Sequence, residues 1–256
     1  DFAEAWNGKF VLFCFAVTLL SIGLATLMSM ALKDKSQRGE FIQGTYRSSA
    51  AILGIAFITN IYGNSGMAPL MIIGSVPLYN IMAVVVLSFT KPEQSGMGPA
   101  LLKKTLKDIV TNPIILGIVF GGLWSVLHLP MPMILSKTVS NLGGMATPLG
   151  LMAMGASLDW NEAKSGMGPA FVASFMKLIG LCTLFLPVAV LLGFREAELI
   201  AILVMLGSST TVSSYVMARN MGHKGVLSAS IVAITTLGSA FTLTFWLYVL
   251  RTLGLI

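Results

Sequence analysis

Charged residues are scarce in this chain. Sixteen lysines and arginines and ten aspartates and glutamates make up 10% of its 256 residues, whereas 55% of the residues are hydrophobic. The mean hydropathy is +0.86, and soluble domains carry about 25% charged residues. This composition excludes a soluble globular domain. It predicts an all-α integral membrane protein, because the apolar runs have the length of membrane helices.

Side chains suited to catalysis or metal binding are also few. The two cysteines, Cys14 and Cys182, lie in separate apolar runs, which favours packing roles over a disulfide or a metal pair. Asp159, Glu196 and Glu198 lie at the ends of apolar runs, and no acid or histidine is expected in the middle of one. An intramembrane enzyme and a buried carboxylate proton relay are therefore disfavoured. No cofactor and no metal is expected.

The sequence contains several long apolar runs that lack charged residues. Eight membrane spans are predicted, at about 10–32, 48–61, 67–89, 113–129, 132–158, 169–192, 199–218 and 226–250. They divide the chain into residues 1–92 with three spans, a connection at 93–112, and residues 113–256 with five spans. Residues 99–110 of the connection have an amphipathic pattern that favours a helix lying along the membrane surface.

The net charge of +6 reflects membrane topology. If the loop after the first span is cytoplasmic, eleven cations fall on that face and three on the other. The first set is Lys33, Lys35, Arg38, Arg47, Lys91, Lys103, Lys104, Lys107, Lys164, Arg219 and Lys224; the second is Lys9, Arg195 and Arg251. Excess positive charge marks the cytoplasmic side. We therefore expect a multi-pass protein of the cell membrane with residues 33–47 and 90–112 in the cytoplasm, and no nucleic-acid partner.

The seventh span carries an unusual polar stretch. Residues 208–214 contain six serines and threonines directly after the apolar run 199–206. Unpaired polar groups are costly in a bilayer, so this cluster is expected to face a cavity, although serine and threonine also serve helix packing there. The second span likewise begins with Ser48 and Ser49. The two spans would enter from opposite faces and cross near the bilayer centre, as in inverted-repeat transporters.

Five stretches in order resemble the auxin efflux carrier family, which includes plant auxin exporters and bacterial permeases annotated for malonate or malate. They are 47–56 (RSSAAILGIA), 77–80 (PLYN), 111–117 (TNPIILG), 146–158 (ATPLGLMAMGASL) and 209–219 (STTVSSYVMAR). The resemblance implies a ten-span fold of five plus five inverted repeats, with two spans preceding Asp1. The family usually has proline at each crossover. This chain has Ala56 and Ser209 at the aligned positions, so Gly54 and Gly207 would supply flexibility there.

The resemblance also implies a function. It points to a secondary transporter that moves a small organic anion, either a dicarboxylate or an auxin-like carboxylate, by alternating access. The substrate site it implies comprises Ser49, Gly54, Ile55, Ala56, Ser209, Thr210, Thr211, Ser213 and Lys177. Lys177 would be either a charge partner of the anion or a side chain that reaches the membrane surface. A passive anion pore and an inactive truncated remnant stay open as alternatives, as does a homodimeric assembly.

Overall fold

A computed structural model describes residues 6–91, 103, 106–107, 109–127, 129–156 and 166–256 of the chain. The helices within these ranges are α1 (Gly8–Ser29), α2 (Arg38–Tyr46), α3 (Ile55–Tyr62), α4 (Ala68–Phe89), α5 (Pro113–Val126), α6 (Met133–Ala156), α7 (Met167–Phe175), α8 (Leu181–Leu191), α9 (Glu196–Gly207), α10 (Ser213–Asn220) and α11 (Val226–Thr252). Two π-helical turns, Ala50–Gly54 and Met176–Gly180, lead into α3 and join α7 to α8. Most of the predicted connection at 93–112 lies outside the described residues.

Four continuous helices are long and apolar enough to cross a membrane among the residues described. They are α1, α4, the α7–α8 helix (Met167–Leu191) and α11. Their 22 to 27 residues reach beyond the ~20 residues that a hydrocarbon core requires. The sequence-based expectation of membrane helices is confirmed, while the count of eight spans and the inverted repeat stay predictions.

Helix α9 forms the centre of the fold. Every residue from Leu199 to Gly207 is buried, and residues 199–206 belong to a hydrophobic cluster that also includes Phe10, Met71 and Leu181. A helix that is apolar on all sides is stable only when neighbours surround it. Helices α3, α4, α8 and α11 provide that packing.

The loop predicted at 33–47 is helical over most of its length. Residues 38–46 form α2, and all of its residues after Arg38 are buried. Its polar side chains are paired with neighbouring backbone: the Glu40 carboxylate accepts hydrogen bonds from the N–H groups of Gly225 and Ser228, both at 2.8 Å. Glu40, which lies within the loop predicted at 33–47, is therefore buried in the fold.

Helices α5 and α6 lie at the edge of the described fold. Most of their side chains are exposed, including Phe120, Ile134 and Met152. Gly150 of α6 is buried, and a Cβ at this position would come within 2.8 Å of Val212 Cγ1. The two peripheral helices thus approach the central helices close to the polar stretch of the seventh predicted span.

We predict that Gly74→Ala destabilises the protein. A Cβ on Gly74 would lie 2.8 Å from Cys14 Cβ and 2.9 Å from the backbone oxygen of Val11, so α1 and α4 would have to move apart. Such overpacking costs about 1–3 kcal/mol. Thermal unfolding in detergent should show a lower melting temperature. Gly117→Ala is the matched control, because nothing lies within 4 Å of that position; equal melting temperatures for the two variants would contradict the close packing of α1 on α4.

Candidate functional site at the helix crossing

Two interrupted helical segments cross at the centre of the protein. The first runs from α2 through residues 47–49 to α3, and the second runs from α9 through residues 208–212 to α10. The backbone N–H of Ser49 donates to the carbonyl of Ser209 at 2.9 Å, and the hydroxyls of Ser48 and Ser208 are hydrogen-bonded. Both breaks therefore meet at one point.

The crossing is antiparallel. Along the first segment, Gln43 donates to the Ser214 carbonyl at 2.8 Å, and the Gly44 carbonyl accepts from the Thr210 hydroxyl at 2.7 Å. Farther along, the Cβ position of Gly54 lies 3.1 Å from Val204. As the residue number rises along the first segment, the residue number of its partner in the second segment falls. The two segments therefore cross with opposite chain directions.

A cavity of about 260 Å³ opens beside the crossing. It is lined by Arg47, Ser48, Ser49, Ala51, Val76, Tyr79, Asn80, Ile118, Thr211 and Ser213. The polar side chains come from the two breaks and from α4, and the remaining wall is apolar, with Ile118 contributed by α5. No acidic residue is present among these described lining residues.

Arg47 is the charged residue of the cavity. Its side chain is 3% exposed, and one Nη donates to Asn80 Oδ1 and to Ser213 Oγ, both at 2.9 Å. The other Nη lies 2.9 Å from Met217 Sδ, and Nε has no partner among the described residues. All these partners are neutral, so the positive charge of Arg47 is not offset by any described carboxylate.

Two helix N-termini add to this positive charge. Ser49 and Ala51 lie at the start of the segment 50–62, and Thr211 and Ser213 lie at the start of α10. The first-turn amides of a helix lack partners within the helix, and the helix dipole places a partial positive charge of roughly +0.5 there. The cavity therefore combines a guanidinium with two helix ends that favour an anion.

Of the nine residues predicted for the site, three line the cavity: Ser49, Thr211 and Ser213. Ser209 and Thr210 are buried behind it, where they hold the crossing together. Gly54 packs against Val204 and Met71, and Ile55 and Ala56 are exposed. At the crossing, Ser209 is hydrogen-bonded to Ser49, whereas Ala56 lies farther along in α3.

Lys177 lies away from the cavity and is fully buried. Its Nζ donates to the carbonyl of Leu206 at 2.8 Å, and the carbonyl of Met205 lies 3.5 Å away. The idea that this side chain reaches the membrane surface is wrong, because its ammonium points to the end of α9.

Sequence reasoning missed Arg47 as a site residue. We counted it among the cytoplasmic loop charges, whereas the structure buries it at the crossing. One signal was available, since Arg47 directly precedes Ser48 and Ser49 in the stretch that resembles the carrier family. Its partner Asn80 belongs to another of the resembling stretches, 77–80.

The family model for membrane transport proteins matches residues 5–247, a range that includes both interrupted segments and α5. The chain belongs to the membrane transport protein family. This family is auxin efflux carrier-like, which confirms the family resemblance found in the sequence. Its members are transporters, not enzymes. No curated protein matches the chain.

For this membrane transport protein, we predict that the cavity is accessible to small water-soluble reagents. Thr211→Cys should react with a small anionic methanethiosulfonate at least about tenfold faster than Thr210→Cys, because thiol reactivity requires access. Thr211 lines the cavity, whereas its neighbour Thr210 is 1% exposed. The native Cys14 and Cys182 are buried and should not react. Mass spectrometry measures the labelling rates, and equal rates at 210 and 211 would contradict the cavity.

Proposed function

We propose that this protein is a secondary transporter that moves a small organic anion by alternating access, with the cavity at the helix crossing as its binding site. The observation that carries the proposal is Arg47, a buried guanidinium whose described partners are all neutral. A buried charge without a counterion is costly, and ionisable residues in membrane segments are typically functional. A bound carboxylate would supply the missing negative charge.

The cavity favours an anion with one negative charge. Arg47 is the one cation among the described lining residues, and Ala51, Val76, Tyr79 and Ile118 form an apolar wall. The volume of about 260 Å³ is slightly below the roughly 300–1,000 Å³ typical of ligand sites, which favours a small ligand. Of the two substrate classes that the sequence suggests, an auxin-like monocarboxylate with an apolar body fits this lining better than a dicarboxylate.

Alternating access would follow from the position of the cavity between two groups of helices. The interrupted segments and α4 form most of the wall, while Ile118 belongs to the peripheral α5. Movement of the central helices against α5 and α6 would open the cavity to one side at a time. We further propose eight spans in the cell membrane, an inverted repeat that relates α1–α4 to α7–α11, and cytoplasmic placement of residues 33–37 and 90–112.

We predict that Arg47→Gln weakens anion binding and uptake. Loss of a hydrogen bond to a charged group costs about 1.5–3 kcal/mol, which corresponds to about tenfold to a hundredfold in affinity. Arg47→Lys keeps the charge but not the forked geometry, so its loss should be smaller. Exchange of radiolabelled benzoate, indole-3-acetate, malonate and malate in proteoliposomes measures the effect.

Arg251→Gln is the matched control for this experiment. Arg251 is an exposed arginine in the last turn of α11, and its replacement should leave exchange unchanged. Saturable counterflow of at least one of the anions by the wild-type protein supports a carrier over a passive pore. Absence of exchange for all four anions, or equal rates for the wild type and Arg47→Gln, would overturn the proposal.

A further inference from the structure

Two specific interactions occupy backbone groups at the break between α9 and α10. A straight helix would continue α9 through hydrogen bonds from the N–H of Ser209 to the Met205 carbonyl and from the N–H of Thr210 to the Leu206 carbonyl, since α-helical bonds join residues four apart. In the structure, the Lys177 ammonium lies against both of these carbonyls, at 3.5 Å and 2.8 Å. The N–H of Thr210 donates instead to Thr235 Oγ1 at 3.0 Å.

We propose that Lys177 is a positioning residue that keeps this break open, and that Thr235 of α11 assists it. Lys177 supplies the donor that the last carbonyls of α9 would otherwise take from the following residues. Thr235 supplies the acceptor for the N–H that would otherwise continue the helix. The proposal deepens the proposed function, because an open break is what presents Thr211 and Ser213 to the cavity.

The surroundings of Lys177 fix the direction of its side chain. Lys177 lies in the π-helical turn Met176–Gly180, and the carbonyl of Leu178 in this turn accepts a hydrogen bond from Trp246 Nε1 at 3.3 Å. A Cβ on Gly238 would lie 2.7 Å from Leu178 Cδ1, so α11 packs closely on the turn. Helix α11 therefore holds the π turn in the orientation that directs Lys177 towards α9.

The charge of Lys177 suits the end of α9. A helix C-terminus carries a partial negative charge, and a nearby cation stabilises it. No salt bridge to Lys177 is present among the described residues, and Glu40 of the adjacent α2 is already bound by Gly225 and Ser228. The thiol of Cys182 faces the same end of α9, where a Cβ on Gly207 would lie 2.9 Å from its Sγ. The partial negative charge at the carbonyl end of α9 therefore stabilises the ammonium of Lys177.

Cysteine cross-linking tests the geometry without any transported anion. Ser49→Cys and Ser209→Cys, in a background with Cys14 and Cys182 replaced by alanine, should form a disulfide on mild oxidation, because the Ser49 N–H donates to the Ser209 carbonyl at 2.9 Å and the two residues are therefore adjacent. Adding Lys177→Met should reduce the extent of cross-linking at least about fivefold, since continuation of α9 would then carry Ser209 away from Ser49. Lys137→Met, at an exposed position of α6, is the matched control and should leave cross-linking unchanged.

Hydrogen exchange of the backbone gives a second measurement. In Lys177→Met, the amides of Ser209 to Val212 should become more protected, whereas a general loss of packing would make them less protected. Lys177→Arg, which keeps the charge, should retain more cross-linking than Lys177→Met. Thr235→Val removes the acceptor without disturbing the buried amine and should act in the same direction, so it carries the test if Lys177→Met does not fold.

The outcomes separate this proposal from the proposed function. Lys177→Met should reduce anion exchange at least about tenfold although Arg47 itself is unchanged, because Thr211 and Ser213 would no longer be presented to the cavity. Wild-type cross-linking and wild-type amide protection in both Lys177→Met and Thr235→Val would overturn the role of Lys177, even if transport is observed. Absence of transport by the wild-type protein would overturn the proposed function, while the cross-linking result would still decide the role of Lys177.

Discussion

The organisation of this protein depends on how backbone polar groups are satisfied where two helices break inside an apolar core. Unpaired N–H and carbonyl groups cost several kcal/mol each in a medium without water. Here the two breaks satisfy each other: Ser49 donates to Ser209, Thr210 donates to Gly44, and Gln43 donates to Ser214. The long helices α1, α4 and α11 surround this crossing, and the cavity lies against it. A site rich in helix ends can exist there because these backbone groups are paired across the two breaks.

The distribution of charge follows from the same constraint. Each break leaves helix N-termini with excess N–H groups and helix C-termini with excess carbonyls. Lys177 lies at a carbonyl end, that of α9, and Arg47 lies beside the amide ends of the segment 50–62 and α10. A cation at a carbonyl end is stabilised by the helix, whereas a cation at amide ends needs an anion. This difference is why we assign a positioning role to Lys177 and substrate binding to Arg47.

The sequence predicted the membrane class, the long helices and the polar stretch at 208–214, because each depends on composition or on the length of an apolar run. It did not predict α2. Residues 38–46 contain the polar side chains Glu40, Gln43 and Thr45, which all bond to backbone groups. The partners of Glu40 and Gln43 lie more than 170 residues away in the chain, and no local sequence pattern indicates such contacts. Arg47 was misplaced for the same reason. Its partners, Asn80, Ser213 and Met217, lie on two other helices.

The central claim is that a carboxylate binds the guanidinium of Arg47. Solid-state NMR on protein with ¹⁵N-labelled arginine side chains and benzoate labelled with ¹³C at its carboxylate measures this contact directly. The account predicts ¹³C–¹⁵N dipolar dephasing that corresponds to an Nη–oxygen contact of about 2.8 Å and that disappears in Arg47→Lys. Dephasing that persists unchanged in Arg47→Lys, or its absence in the wild-type protein at saturating benzoate, would contradict the account.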